Sequence, residues 1–353
     1  VLELKTWDPV SKFDQAVMDF NQSITSIHTL MKDMNACLLP TGMHPFMNPV
    51  KDTHFWPHEN HLIYETFDHI FNCRRHGWAN LQSCQVNLPF CGNDEFVKLH
   101  TAIRFLMPIM PALAASSPIA DAHFTGFMDY RLAVYQDNAS LIPSISGDLI
   151  PEPVTSIRAY QSDILERIYR DIAPYDPENI LQYEWLNARG AIARFDRDAI
   201  EIRVLDMQEC PSADIAVCQA KTSTLTALVS GCLIPLKDML DWSTPSLLDI
   251  YQGSVKDAEQ TIIVNKAYLE AFGMKDKKCT ASELWQHILN HYFSGPIRPS
   301  VQKALDIICK EGTLSRRILK ALGNDHSLSK IKTVYKKLQH CLTGDHSFLC
   351  NTK

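Results

Sequence analysis

The stretch Ala199-Ile-Glu-Ile-Arg-Val-Leu-Asp206 constrains the fold more than any other. In a strand, residues i and i+2 share a face. Glu201 and Arg203 therefore face one way and Ile200, Ile202 and Val204 the other. Ala191–Phe195 pairs naturally with it, as a hairpin around Asp196-Arg197-Asp198. Asn80–Phe90 follows the same rule, with Ser83, Gln85 and Asn87 opposite Cys84, Val86 and Leu88. Val1–Thr6 reads likewise as a strand, with Glu3 and Lys5 opposite Leu2 and Leu4. Each strand has an apolar face and a face of carboxylate, amide or guanidinium groups. An antiparallel sheet with one face in water accounts for such alternation. It does not account for Arg189, Arg194, Arg197 and Arg203 falling within fifteen positions.

Helical spacing fills the intervals. From Ser11, apolar residues recur at Phe13, Val17, Phe20, Ile24, Ile27, Met31 and Met34, in steps of three and four. Residues 58–72 and 157–171 read as helices. Asn93 reads as a helix cap with Asp94 and Glu95 behind it. Pro108 and Pro111 interrupt that helix. Residues 141–153 are rich in Pro, Ser and Gly and read as a loop. Ser212 reads as the cap of a helix running toward Leu233. From about Trp242 helical patterns dominate, and the tail from Thr343 is expected to be loosely held. Strands and helices without strict alternation imply an α+β fold. Two units are expected, a catalytic domain over 1–241 and a helical extension over 242–353.

Composition narrows the function. With 46% hydrophobic and 21% charged residues, the chain has material for a packed core. A net charge of −6, with no basic block, argues against nucleic acid as a partner. No run of eighteen apolar residues suggests a membrane span. Eleven cysteines without a C-x-x-C pair suggest a reducing, cytoplasmic setting rather than a disulfide scaffold. The thirteen glycines form neither G-x-x-x-x-G-K-[ST] nor G-x-G-x-x-G, so a glycine cradle for nucleotide phosphates is absent. His58-Glu59 opens like a zincin motif, but Leu62 stands where its second histidine belongs. Arginines converging with carboxylates suit a polyphosphate. Carboxylates can hold Mg²⁺, and guanidinium groups match phosphate oxygens.

An ordered series of stretches carries a resemblance. Leu2-Glu-Leu-Lys-Thr6 with Pro9 comes first, then Pro40-Thr-Gly-Met-His-Pro45 and Gln85-Val-Asn-Leu-Pro89. Ala115-Ser-Ser-Pro118, Thr125-Gly-Phe-Met-Asp-Tyr-Arg131, Arg194-Phe-Asp-Arg197 and Glu201-Ile-Arg203 follow. In this order, across roughly residues 1–210, they resemble the glutamate–cysteine ligase family of carboxylate–amine ligases. The resemblance implies a glutamine-synthetase-like fold: a curved, mainly antiparallel sheet forming a funnel, with helices on its outer face. It implies that ATP phosphorylates a substrate carboxylate, such as the γ-carboxyl of glutamate, and that an amine such as cysteine displaces phosphate. By position it implies ATP and Mg²⁺ as cofactors. Glu3, Glu201 and Gln85 would be metal ligands, and Arg203, Arg194 and Arg189 would meet the nucleotide. Arg131, Asn87 and His44 would meet the substrate, with Arg203 and Arg131 central to catalysis.

Two departures stand out. Gln85 occupies a position where the family usually has a metal-binding histidine. The family's acidic first strand would precede Leu2, so upstream residues are expected. Several residues keep a plainer reading beside the functional one: His44 as a turn histidine, Asn87 as a partner of backbone, Arg197 as a solvated hairpin tip. Cys84, on the apolar face, is not expected to be a nucleophile. Glu201 is expected to line a solvent funnel and to hold no core together. Two alternatives remain open: an ATP- and Mg²⁺-binding homologue without turnover, and a guanidino phosphotransferase. The oligomeric state is likewise open.

Overall fold

In the computed structural model, residues 2–350 are described. The helix expected after Ser11 runs over Phe13–Met31 (α1) and buries Ala16, Val17 and Ile24. His61–Phe71 forms α2. Gly92–Leu106 forms α3, capped two residues earlier than the sequence suggests. Glu95 there accepts the Cys91 N–H at 2.7 Å. Asn93 instead accepts from the Ile157 N–H at 2.9 Å, so it ties two elements together. Pro108 and Pro111 end α3 as expected. A 3-10 turn over Met107–Ile109 and a short helix over Pro111–Ala114 follow, because proline can neither donate to the ladder nor clear the preceding turn.

Tyr130–Gln136 forms α4, capped by Asp129. Pro211–Val229 forms α5, whose Ser212 is an interior residue bonded to Ser300 and Asp345. α5 is buried on nearly every side, which marks a central core helix. Around it pack α1, α3, α6 (Ala281–Tyr292) and α7 (Pro299–Glu311).

The sheet that concerns function has three strands: β1 (Val86–Pro89), β2 (Ala191–Arg194) and β3 (Ala199–Ile202). Their order is β1-β3-β2, antiparallel throughout. The expected hairpin is present, with Asp198 in left-handed backbone closing it. Two further two-stranded sheets lie apart from this one. The α+β class therefore holds. Asn80–Phe90 is regular only in its second half. Before Val86, pairing continues through an isolated bridge, Ser83 to Asp206, and a bond from the Cys84 N–H to the Leu205 carbonyl.

Further expectations are corrected. Residues 2–6 form no strand, and Leu2 and Leu4 are exposed. Alternation alone does not make a strand: an unpaired segment leaves its ladder groups unbonded. Leu62, on the expected inner face of α2, is also exposed. Over the described residues, the tail beyond Thr343 is pinned. Asp345 accepts from Ser212, and Phe348 is 1% exposed. The hydrophobic core runs from Ala16 to Ile308 without a break at 241. Trp285 reaches the Ile109 carbonyl and Tyr268 the Phe105 carbonyl across that position. Among the described residues, no helix is long and apolar enough to cross a membrane.

Candidate functional site

Strand register decides what faces what. Glu201 stands directly across from Asn87 on one side and Ile192 on the other. Directly opposed residues share a face, so Asn87, Arg194, Glu201 and Arg203 lie on one side of the sheet. Ala191, Ala193, Ile200 and Ile202 turn into the core. The alternation expected from sequence is thus present in β1 and β3, while on β2 Arg194 shares its face with the fully buried Ile192.

On the polar side, Glu201 is 4% exposed. The Arg203 Nε donates to its Oε1 at 2.6 Å, and the Arg194 Nη1 donates to its Oε2 at 3.1 Å. Arg194 also grips Asp196, while Arg203 bonds the Asn187 carbonyl. Burial works against the Arg203 charge, but Tyr135 and Glu201 outweigh it and raise its pKa further. Asn87 and Gln85 are exposed on β1 and just before it. Gln85 bonds only Ser83, at 3.3 Å, among the bonds found for its side chain. The result is a shelf: a carboxylate floor, two guanidinium groups and an open amide edge.

A second network lies beneath it, around Asp206. Asp206 accepts from the Ser116 N–H at 2.8 Å, from the Ser117 hydroxyl at 2.7 Å and from the Arg131 Nε. Gly42 packs so closely that a Cβ there would overlap the carboxylate, so only glycine fits. Arg131 continues to the Arg203 carbonyl at 3.2 Å, joining the two networks. Asp129 caps α4. Burial, reinforced by the charge of Asp206, pushes its carboxyl well above the usual range. The Pro40–Pro45, Ala115–Pro118, Thr125–Arg131 and Glu201–Asp206 stretches all meet at this one carboxylate. Asp206 was not among the expected site residues. It lies just past the strand, off the i, i+2 parity that marks Glu201 and Arg203.

The other expected residues lie in separate settings. Arg131 is 3% exposed and held by Asp206 rather than presented to a substrate. Arg189 forms a two-pronged pair with Glu152, both bonds at 2.6 Å, and donates to the Ser144 carbonyl. It thereby fastens the 141–153 loop to the start of β2. Burial raises the Glu152 carboxyl, but hydrogen bonding and charge from Arg189 outweigh it and lower its pKa. His44 accepts from the Phe46 N–H through Nδ1 and exchanges backbone bonds with Asn80. Burial lowers its pKa, against the pull of Asp52. Glu3 lies exposed in an irregular segment, on no strand.

The metal set expected from the resemblance does not fit this arrangement. Both oxygens of Glu201 are taken by guanidinium groups. Glu3 does not join it on the sheet. Among the described residues, no group of three or more His, Cys, Asp or Glu side chains could hold a metal ion.

Comparison with known proteins fits the resemblance. Residues 1–251 match glutamate-cysteine ligase family 2. An uncharacterized protein of Archaeoglobus fulgidus is 30% identical over 352 residues, covering 99% of this chain and 86% of that protein. The chain therefore belongs to glutamate-cysteine ligase family 2.

Proposed function

We propose that the chain is an ATP-dependent carboxylate–amine ligase, and that the polar face of β1-β3-β2 is where its anionic reactants sit. The γ-carboxyl of glutamate is the carboxylate we assign, and an amine such as cysteine is the acceptor. The three strands would belong to the curved funnel sheet of the glutamine-synthetase-like fold. Family membership supports the reaction class. The observation that carries the assignment of place is the pairing of Arg194 and Arg203 around Glu201 on a face left open at Asn87.

In such a ligase the carboxylate oxygen takes the terminal phosphoryl group of ATP. The amine then attacks the acyl carbon, and phosphate leaves with the carbon–oxygen pair. The protein's part is to position the reactants and to stabilise negative charge. Arg203 and Arg194 supply planar forks suited to a phosphate or carboxylate. Glu201 orients both forks. Asn87 offers a neutral donor and acceptor beside them. Asp206 is a positioning residue that holds Arg131 under the strand bearing Arg203. No step is routed through a protein-held metal ion, because the donor set does not converge.

A second reading, a nucleotide-binding homologue without turnover, is favoured by one observation: the Glu201 carboxylate at the centre of the shelf is already neutralised by arginines. The test incubates the protein with ATP, magnesium salt, glutamate and a panel of amines that includes cysteine. Amine-dependent phosphate release supports the ligase. Calorimetric binding of ATP with no release across the panel supports the second reading. Neither binding nor release overturns both.

A further inference from the structure

Cys84 and Cys218 approach to 3.4 Å between sulfur atoms, although they are 134 positions apart. Cys84 lies just before β1 and is partly exposed. Cys218 is on α5 and 2% exposed. One helical turn beyond Cys218, Lys221 is 1% exposed, and its ammonium has no hydrogen-bond partner. A buried, unpartnered cation costs folding free energy. It is most easily understood beside a group that becomes an anion, and thiolate is the anion within reach. The hydrogen bond with Cys84, helped by Lys221 against the effect of burial, draws the Cys218 thiol down to about 7.

We propose that Cys84 and Cys218 form a reversible intramolecular disulfide when the protein meets a peroxide, clamping the edge strand β1 to the central helix α5. The step balances. The Cys218 thiolate gives an electron pair to one peroxide oxygen. The O–O bond breaks, the departing hydroxide takes up the proton Cys218 gave up and leaves as water, and a sulfenic acid remains. The Cys84 sulfur, 3.4 Å away, attacks the Cys218 sulfur, and the S–O bond breaks. The departing hydroxide takes up the Cys84 proton and becomes a second water. Two thiols lose two electrons, and the peroxide gains them. Lys221 stabilises the attacking thiolate. The two sulfur atoms close from 3.4 Å to about 2.05 Å when the bond forms.

The inference does not depend on the ligase reading, because its test needs no substrate. The full chain is treated with hydrogen peroxide, unfolded, alkylated, digested and weighed by mass spectrometry. The expected result is a linked pair of peptides carrying Cys84 and Cys218, two hydrogens lighter than the sum and released by dithiothreitol. Lys221→Met should slow the link by about threefold or more; an unchanged rate overturns the role given to Lys221. If Cys37, Cys91 and Cys232, which are exposed, oxidise while Cys84 and Cys218 stay fully alkylatable, the proposal is overturned. Cys218 driven to sulfinic acid without any link overturns it too.

Discussion

At the residue scale, Glu201 behaves differently from its sequence expectation. A carboxylate on the polar face of a strand reads as a solvent-facing group whose loss would leave the core alone. It is instead 4% exposed and holds two guanidinium groups. Removing one partner of a buried pair leaves the other charge uncompensated, and that costs more than the pair contributes. Arg194 and Arg203 keep some access to water, which softens the penalty. Glu201→Ala is therefore expected to lower stability by about 2 kcal/mol, read from urea unfolding midpoints, and to lose ATP binding as well. Strand parity made the facing of Glu201, Arg194 and Arg203 legible. Parity says nothing about partners from distant segments. So the sequence reading presented Arg131 to a substrate, whereas Asp206, 75 positions away, holds it.

Elements were legible where local pattern and partner agree. The steps of three and four in α1 and the Asp196–Asp198 turn between β2 and β3 each form as read. The strand expected at residues 1–6 is absent over the described residues 2–6, since a strand is completed by a neighbour that its own sequence does not name. Helix α3 carries a cost that no periodicity reveals. His100 is 1% exposed, and neither ring nitrogen has a partner. Burial first, and Arg104 second, lower its pKa to about 3. The folded value lies below the unfolded one, so the neutral ring's contribution is intact above about 6.5 and is lost as pH falls toward 3. Replacing His100 by Leu should remove that slope. Urea midpoints at pH 7 and pH 5 should show the wild type losing about 2 kcal/mol more than the variant. Equal losses would contradict the burial of an unpartnered imidazole.

At the scale of the whole molecule, the main core packs around α5 and is completed by α6 and α7, and the segment beyond Ile308 adds a satellite core. The tail illustrates what sequence conceals. Residues 343–347 are small or polar and the only apolar residues after them are Phe348, Leu349 and Cys350, so the stretch reads as loose. Arg317 and Glu209, both fully buried and paired with each other, hold the backbone of Phe348: Arg317 donates to its carbonyl and Glu209 accepts from its N–H, and its ring fills a satellite core with Leu314, Ile318 and Tyr335. Phe348→Ala should cost about 3 kcal/mol by chemical unfolding. A change within about 0.5 kcal/mol would mean the tail is held only weakly. The family, by contrast, was legible from the ordered motifs, because the stretches after Leu2–Thr6 are what assembles around Glu201 and Asp206.

The central claim is that the arginine-bearing face of the sheet takes the anionic reactants, and nucleotide affinity tests it most directly. ATP titrated into wild-type protein and into Arg203→Met, with thermal melting confirming that both are folded, should show affinity weakened about tenfold or more in the variant. Equal affinity in two folded proteins would mean that the nucleotide binds elsewhere.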